Sequence, residues 1–236
     1  ETPLSPELAA AALDRSYAHL AATHLPSKLT ATQLKGRLLD AEAAEEAYVR
    51  PALPPTWRTP QFLQTAPLQG REKGNATHLF MQFARYEACT AEEPLRAELA
   101  RLQDERFLTP RQAEAVDLAH VLRLFASPLG ARILSARALR REFKFSILTD
   151  AADYDPAAAG EEVLLQGVVD CFWDEPEGLV ILDFKTDRVS EGTLPERAES
   201  YRAQLDAYAA AVREICGGTV QGSILYFFQT GTIWKM

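Results

Sequence analysis

Cysteine is scarce and unpaired in pattern. Cys89, Cys171 and Cys216 are the only three in 236 residues, and none forms a CxxC. This argues against a disulfide framework, an iron–sulfur cluster and a zinc ribbon, and fits a reducing cytoplasm. Long apolar runs are missing too. No stretch approaches the roughly 18 residues of a membrane span, so no membrane partner is expected. The chain starts at Glu1 rather than Met, and no basic-then-apolar leader follows, so a piece of something longer is expected. Internal repeats are absent, and so is low complexity outside one proline-rich stretch. Positive charge is in deficit: 25 Lys and Arg stand against 33 Asp and Glu, a net charge of −8. By itself that argues mildly against a nucleic-acid partner. The basic residues are nevertheless clustered. "RILSARALRREFK" gathers Arg132, Arg137, Arg140, Arg141 and Lys144 around a single acid, Glu142. Such a segment is often no more than a solvated face.

What is present suits a globular protein. The 47% hydrophobic and 25% charged composition provides a sizeable core in one large domain, or one domain with an appendage. Three regions follow. Residues 1–49 read as a helical lead-in: "SPELAAAALDRSYAHLAATH" opens on a Ser-Pro start signal, and "PSKLTATQLKGRLLDAEAAEEA" predicts a second helix capped by Thr30 or Thr32. Residues 50–73 read as a loop or linker, with five prolines between positions 51 and 67. Residues 74–236 carry the main pattern. Helical spacing predicts helices from Gly74, over 94–105, over 110–126 and near 128–136. The period then drops to two. "ALRREFKFSILT" places Phe143, Phe145 and Ile147 on one strand face. "EEVLLQGVVDCFWDE" and "LVILDFKTD" form two more strands joined by "EPEG", with Gly178 free to take positive φ. A single amphipathic helix over "LPERAESYRAQLDAYAAAVREICG" ends at Gly217, and "VQGSILYFF" is a last buried strand.

Two acids sit inside these apolar strands. Asp183 and Lys185 are two apart and project to the same side. A hairpin turning at 175–178 sets Asp170 opposite Asp183, with Cβ atoms about 5 Å apart. Carboxylates that close repel unless a cation lies between them. Lys185 alone could be that cation, and an Asp-x-Lys triplet is by itself an ordinary ion pair at a sheet edge. An oxygen-rich pair is equally what Mg²⁺ or Mn²⁺ prefers. Burying two acids and a lysine without a role would be costly.

"GVVD" and "LVILDFKT", followed by "YRAQLDAYAAAV", resemble the PD-(D/E)XK nuclease core in its RecB-family form. "KGNATHLFMQFARYEAC" resembles that family's upstream Gly-x-x-x-His helix. "LPSKLTATQLK" and "ILYFFQTGTIWKM" resemble the flanking segments of AddA-type subunits of AddAB helicase–nucleases. The resemblance implies an α/β restriction-endonuclease-like fold: a mixed central sheet flanked by helices, with a helical region in front. It implies Asp170 and Asp183 as metal-binding acids, Lys185 as the catalytic lysine and His78 in the metal shell. The backbone carbonyl of Phe184 is a further ligand, and Gln204 and Tyr208 form the Q-x-x-x-Y pair on the following helix. Glu142 matches a glutamate often found on the first core strand and ranks second. The implied cofactor is Mg²⁺, with Mn²⁺ possible because an imidazole tilts a hard-oxygen site that way. The implied partners are single-stranded DNA, the helicase portion of a parent chain and an AddB-type subunit, in a bacterial cytoplasm. Arg132, Arg137, Arg140 and Arg141 are the DNA-contact candidates. The alternative is a catalytically silent docking or DNA-guiding module, against which stands the presence of all four residues His78, Asp170, Asp183 and Lys185. A Schiff-base enzyme built on Lys185 lacks a substrate-anion site or cofactor motif.

Overall fold

A computed structural model describes residues 19–34, 70–187 and 189–236. The chain falls into two compact units: residues 31–145 with 167–236, and residues 1–30 with 146–166. Among the described residues of the larger unit, the α-helices ahead of the main strands are α1 (Arg71–Phe83), α2 (Glu92–Asp104), α3 (Pro110–Ala115), α4 (Leu118–Phe125) and α5 (Pro128–Ser135). The strands β2 (Arg137–Asp150), β3 (Glu162–Glu175) and β4 (Gly178–Lys185) follow; the first two continue into the smaller unit. Then come α6 (Leu194–Glu199), α7 (Arg202–Cys216), β5 (Val220–Phe227) and β6 (Thr232–Lys235).

β4 pairs antiparallel with β3 and parallel with β5, while β6 adds antiparallel to β5 and β2 pairs with β3. Strand β4 is buried from Leu179 to Phe184, as a strand covered on both faces must be. The parallel β4–β5 step needs a crossover, which α6 and α7 supply. Trp173, Tyr226, Phe80, Phe172, Phe184 and Phe227 are the bulkiest fully buried side chains. Trp173 spends its indole N–H on Glu175 Oε1 at 2.9 Å, so it packs the hairpin.

The hairpin forms in the expected register. Cys171 faces Leu182, Glu175 faces Gly178, and Gly178 takes φ 138°. Elsewhere the structure differs from the sequence reading in identifiable ways. The expected helix over 110–126 is two: Val116 is extended, and Asp117 begins a new helix by accepting from His120 N. The long helix after β4 also breaks, at Ser200–Tyr201, where the Ser200 hydroxyl donates to the Arg197 carbonyl. Strand β6 extends the sheet beyond the last strand read from the pattern. The prolines of 51–67 and the alanine-rich stretch 5–18 lie outside the described residues.

The smaller unit carries an element the pattern did not give. Lys28–Thr30, up to the expected helix cap, is a strand, β1, pairing parallel with Leu164–Gln166 of β3. Leu29 is buried there. A three-residue strand carries too little periodicity to be seen, and its partner lies far along the chain. Thr30 ends this strand and directly precedes the next element, and the rest of the expected second helix, 35–47, lies outside the described residues. Residues 31–34 form a 3₁₀ turn, within the larger unit.

Candidate active site

The hairpin brings the two aspartates together. The β3–β4 ladder closes with Cys171 opposite Leu182, one residue short of Asp170 and Asp183, which lie close enough for the charge of one to act on the other. Beyond that point the Asp170 side chain takes over from the backbone: its Oδ2 accepts from Phe184 N at 2.7 Å. The other oxygen, Oδ1, lies 3.2 Å from His78 Nδ1. His78 comes from α1, whose approach depends on Gly74. A Cβ there would stand 2.7 Å from Thr186 Oγ1, just past the end of β4. This is the physical content of the Gly-x-x-x-His spacing: one helical turn sets a close-contact glycine under the imidazole.

Glu142 joins the group. Its residue has φ 49°, a left-handed conformation rare for a non-glycine in a strand, which re-aims the side chain from β2. Ligand atoms of His78, Glu142 and Asp170 all lie within 4.8 Å of one another. Asp183, by contrast, is ion-paired with Lys185 Nζ. The second-ranked sequence candidate thus stands within ligand-sharing distance of the imidazole and Asp170.

Lys185 is held on several sides. Besides Asp183, its Nζ donates to Gln204 Oε1 at 3.1 Å and lies 3.9 Å from the centroid of the Tyr201 ring. Gln204 is oriented by donating from Nε2 to Tyr208 Oη at 2.7 Å, and both side chains are buried. The Q-x-x-x-Y pair therefore faces the lysine. Sequence reasoning passes over Tyr201, although Tyr201, Gln204 and Tyr208 share one helix face at i, i+3 and i+7.

The electrostatics are those of a site short of positive charge. Burial pushes Asp183 up to about 6, helped by the charge of Asp170 and opposed by Lys185. Burial likewise raises Glu142, again with Asp170 adding to it. For His78 burial pulls down, but the charge and hydrogen bond of Asp170 win and lift it to about 9. Asp170 is the acid that stays low: burial would raise it, and His78, Lys185 and the Phe184 amide outweigh that. Two carboxyls that hold protons readily beside a third ionised one are a donor set suited to a hard divalent cation. The residues present fit such an ion.

The basic segment divides. Arg132 is tied to Glu175 by bonds of 3.0 and 3.1 Å, and Arg141 donates to the carbonyls of Met81 and Ala84 at the C-terminal end of α1. Arg141 therefore acts inside the fold, as a cation at a helix C-terminus. Arg140 is exposed, stacked over Phe172 and bonded to Cys216 Sγ, and Arg137 is exposed.

Fold and site define a class: an α/β nuclease core with facing acids and a lysine at the end of a hairpin. Residues 46–233 match the family model described as the PD-(D/E)XK nuclease superfamily, and the chain belongs to that superfamily. It is similar to the A-type subunits of bacterial ATP-dependent helicase/nucleases. The identity is 37% over 227 residues for that of Desulforudis audaxviator, 37% over 228 for Moorella thermoacetica and 34% over 227 for Acetivibrio thermocellus. Each alignment covers 94% of this chain but only 16–18% of the relative. No helix among the described residues is long and apolar enough to cross a membrane.

Proposed function

We propose that the chain is the nuclease portion of an AddA-type helicase–nuclease, hydrolysing phosphodiester bonds of single-stranded DNA with Mg²⁺ or Mn²⁺. The observation that carries this reading is the convergence of His78, Asp170, Asp183 and Lys185 from three elements, α1, β3 and β4, at one end of the sheet. The match of the family model to most of the chain supports it. In this reading 74–236 is the nuclease core, and a helicase portion of the parent chain with an AddB-type subunit would feed it the 3′-terminated strand for exonucleolytic cutting.

Asp170, Glu142, His78 and Asp183 would hold the ion, with the Phe184 carbonyl as a further donor. When bound, a divalent ion lowers the pKa of a water and offsets charge on the phosphoryl oxygens. His78 must give up its proton to serve as a nitrogen ligand. Lys185 supplies an ammonium beside the reacting phosphate, where charge develops. Gln204 and Tyr208 fix where that ammonium sits. Arg137 and Arg140 are the proposed backbone-phosphate contacts.

The test is cleavage of a single-stranded oligonucleotide with Mg²⁺ or Mn²⁺ by the unsubstituted chain and by Asp183→Ala. Loss of roughly a hundredfold or more in rate is expected for the variant. Retained cleavage in Asp183→Ala overturns the mechanism. A chain that binds DNA yet never cuts it is a guiding module instead.

A further inference from the structure

Lys185 carries three N–H donors on a flexible stem, and its usefulness depends on where they point. Asp183 and Gln204 take the ammonium from two directions. Tyr201, only 4% exposed, presents its ring to the ammonium at 3.9 Å. The ring is itself anchored. Its hydroxyl is bonded to Asp187 Oδ2, which also receives Arg197 Nε at 2.9 Å, and the Arg197 guanidinium lies 5.2 Å from the ring centroid. Two cations therefore share one aromatic ring at the break between α6 and α7. At that junction Tyr201 N donates to the Ala198 carbonyl at 3.0 Å and the Tyr201 carbonyl accepts from Leu205 N at 3.0 Å, which fixes the backbone that carries the ring.

We propose that Tyr201 is a positioning residue for the reaction, its ring face setting the place of the Lys185 ammonium by a cation–π contact. This rests on the nuclease reading above. The ring acts as a neutral aromatic: burial, followed by the bond to Asp187, drives the phenol upward, away from ionisation. The attraction is thus that of the ring quadrupole for an ammonium, not a phenolate ion pair. An aromatic face is a suitable third wall because it holds the ammonium without a competing acceptor oxygen. Gln204 takes an N–H bond in a fixed direction and Asp183 pairs with the charge, while the ring face closes a third side. Losing the ring would leave the lysine charged and present but held only on the Asp183 and Gln204 sides.

The experiment uses the 236-residue chain with three ring states: Tyr201, Tyr201→Phe and Tyr201→Leu. Single-stranded oligonucleotide cleavage with Mg²⁺ gives kcat and KM, and NMR of the Lys185 ε-methylene protons reports the ring current. Tyr201→Leu is expected to lower kcat roughly tenfold with KM within about twofold, while Tyr201→Phe stays within about threefold of the parent. The ε-methylene resonances should be shifted upfield in the parent and in the Phe variant, and return to the ordinary lysine position in the Leu variant. A Leu variant as fast as the parent overturns the proposal. So does a Phe variant as slow as the Leu variant, which would assign the effect to the hydroxyl and Asp187. Should Tyr201→Leu fail to fold, an unshifted ε-methylene in the parent overturns it alone. Absence of cleavage by the parent overturns the nuclease reading, and this proposal with it.

Discussion

Glu98 shows how far from the chemistry the site is supported. It is a carboxylate only 4% exposed, on α2. Its Oε1 accepts from Arg85 N at 2.6 Å and its Oε2 from Arg101 Nε at 2.9 Å, while Arg101 Nη2 donates to the Phe83 carbonyl at 3.2 Å. The pair therefore staples the end of α1, the helix that carries His78. The Arg101 hydrogen bond, opposed by burial and helped by the Arg85 amide, holds the Glu98 carboxyl below its ordinary value. A depressed acid contributes stability above its unfolded pKa, near 4.5, and loses it as pH falls through the lower folded value. Glu98→Gln is expected to cost about 2–3 kcal/mol at pH 7, because it removes the buried ionic partner of Arg101 and leaves that guanidinium only the exposed Glu105. Urea unfolding of parent and variant at pH 7 and pH 3 would check this: the gap between them should shrink toward zero at the acid end. A gap independent of pH would sink the argument.

At the scale of elements, the β3–β4 hairpin decides whether Asp170 meets Asp183. Its turn depends on Gly178, where φ is 138° and a Cβ would sit 2.5 Å from the Thr219 carbonyl oxygen. That obstacle is backbone and cannot rotate away. Gly178→Ala is therefore expected to destabilise by about 1–3 kcal/mol. Gly192→Ala, with nothing within 4 Å and no left-handed backbone, should be nearly silent. Thermal melts of the two variants separate these outcomes, and equal melting points would refute the steric account. The hairpin was legible because its signals are local: two apolar runs, a Pro-Glu-Gly turn, and a register that follows from turn position. So was the Gln204–Tyr208 pair, set by helical spacing. Strand β1 was not, since three residues that gain their identity from a distant strand carry no period of their own. Nor was the left-handed backbone of Glu142, because nothing in "RREFK" marks a glutamate for a conformation usually left to glycine. The place of Arg141 was hidden for a related reason: a helix C-terminus that attracts a guanidinium is a tertiary fact, and in sequence the residue looks like its exposed neighbours.

At the scale of the whole chain the charge is −8, and the basic cluster that would offset it is partly spent within the fold. Arg132 goes to Glu175 and Arg141 to the end of α1, which leaves Arg137, Arg140 and Lys144 as the exposed cations of that stretch. If the chain takes single-stranded DNA as proposed, few phosphates can be neutralised through this stretch. Single strands release counterions with a slope of about −0.7 per phosphate contacted, so about three contacts give a log–log salt slope near −2. Fluorescence anisotropy of a labelled oligonucleotide across 50–300 mM salt, about a sixfold range and within the usual screening regime, would measure it. Arg137→Ala is expected to weaken binding and to flatten the slope by about 0.7, whereas Arg132→Ala should leave the slope unchanged because that guanidinium already belongs to Glu175. A steep slope, about −5 or beyond, would mean that the DNA runs over a basic surface other than β2. An effect of Arg132→Ala equal to that of Arg137→Ala would show that the Glu175 pair opens to receive phosphate.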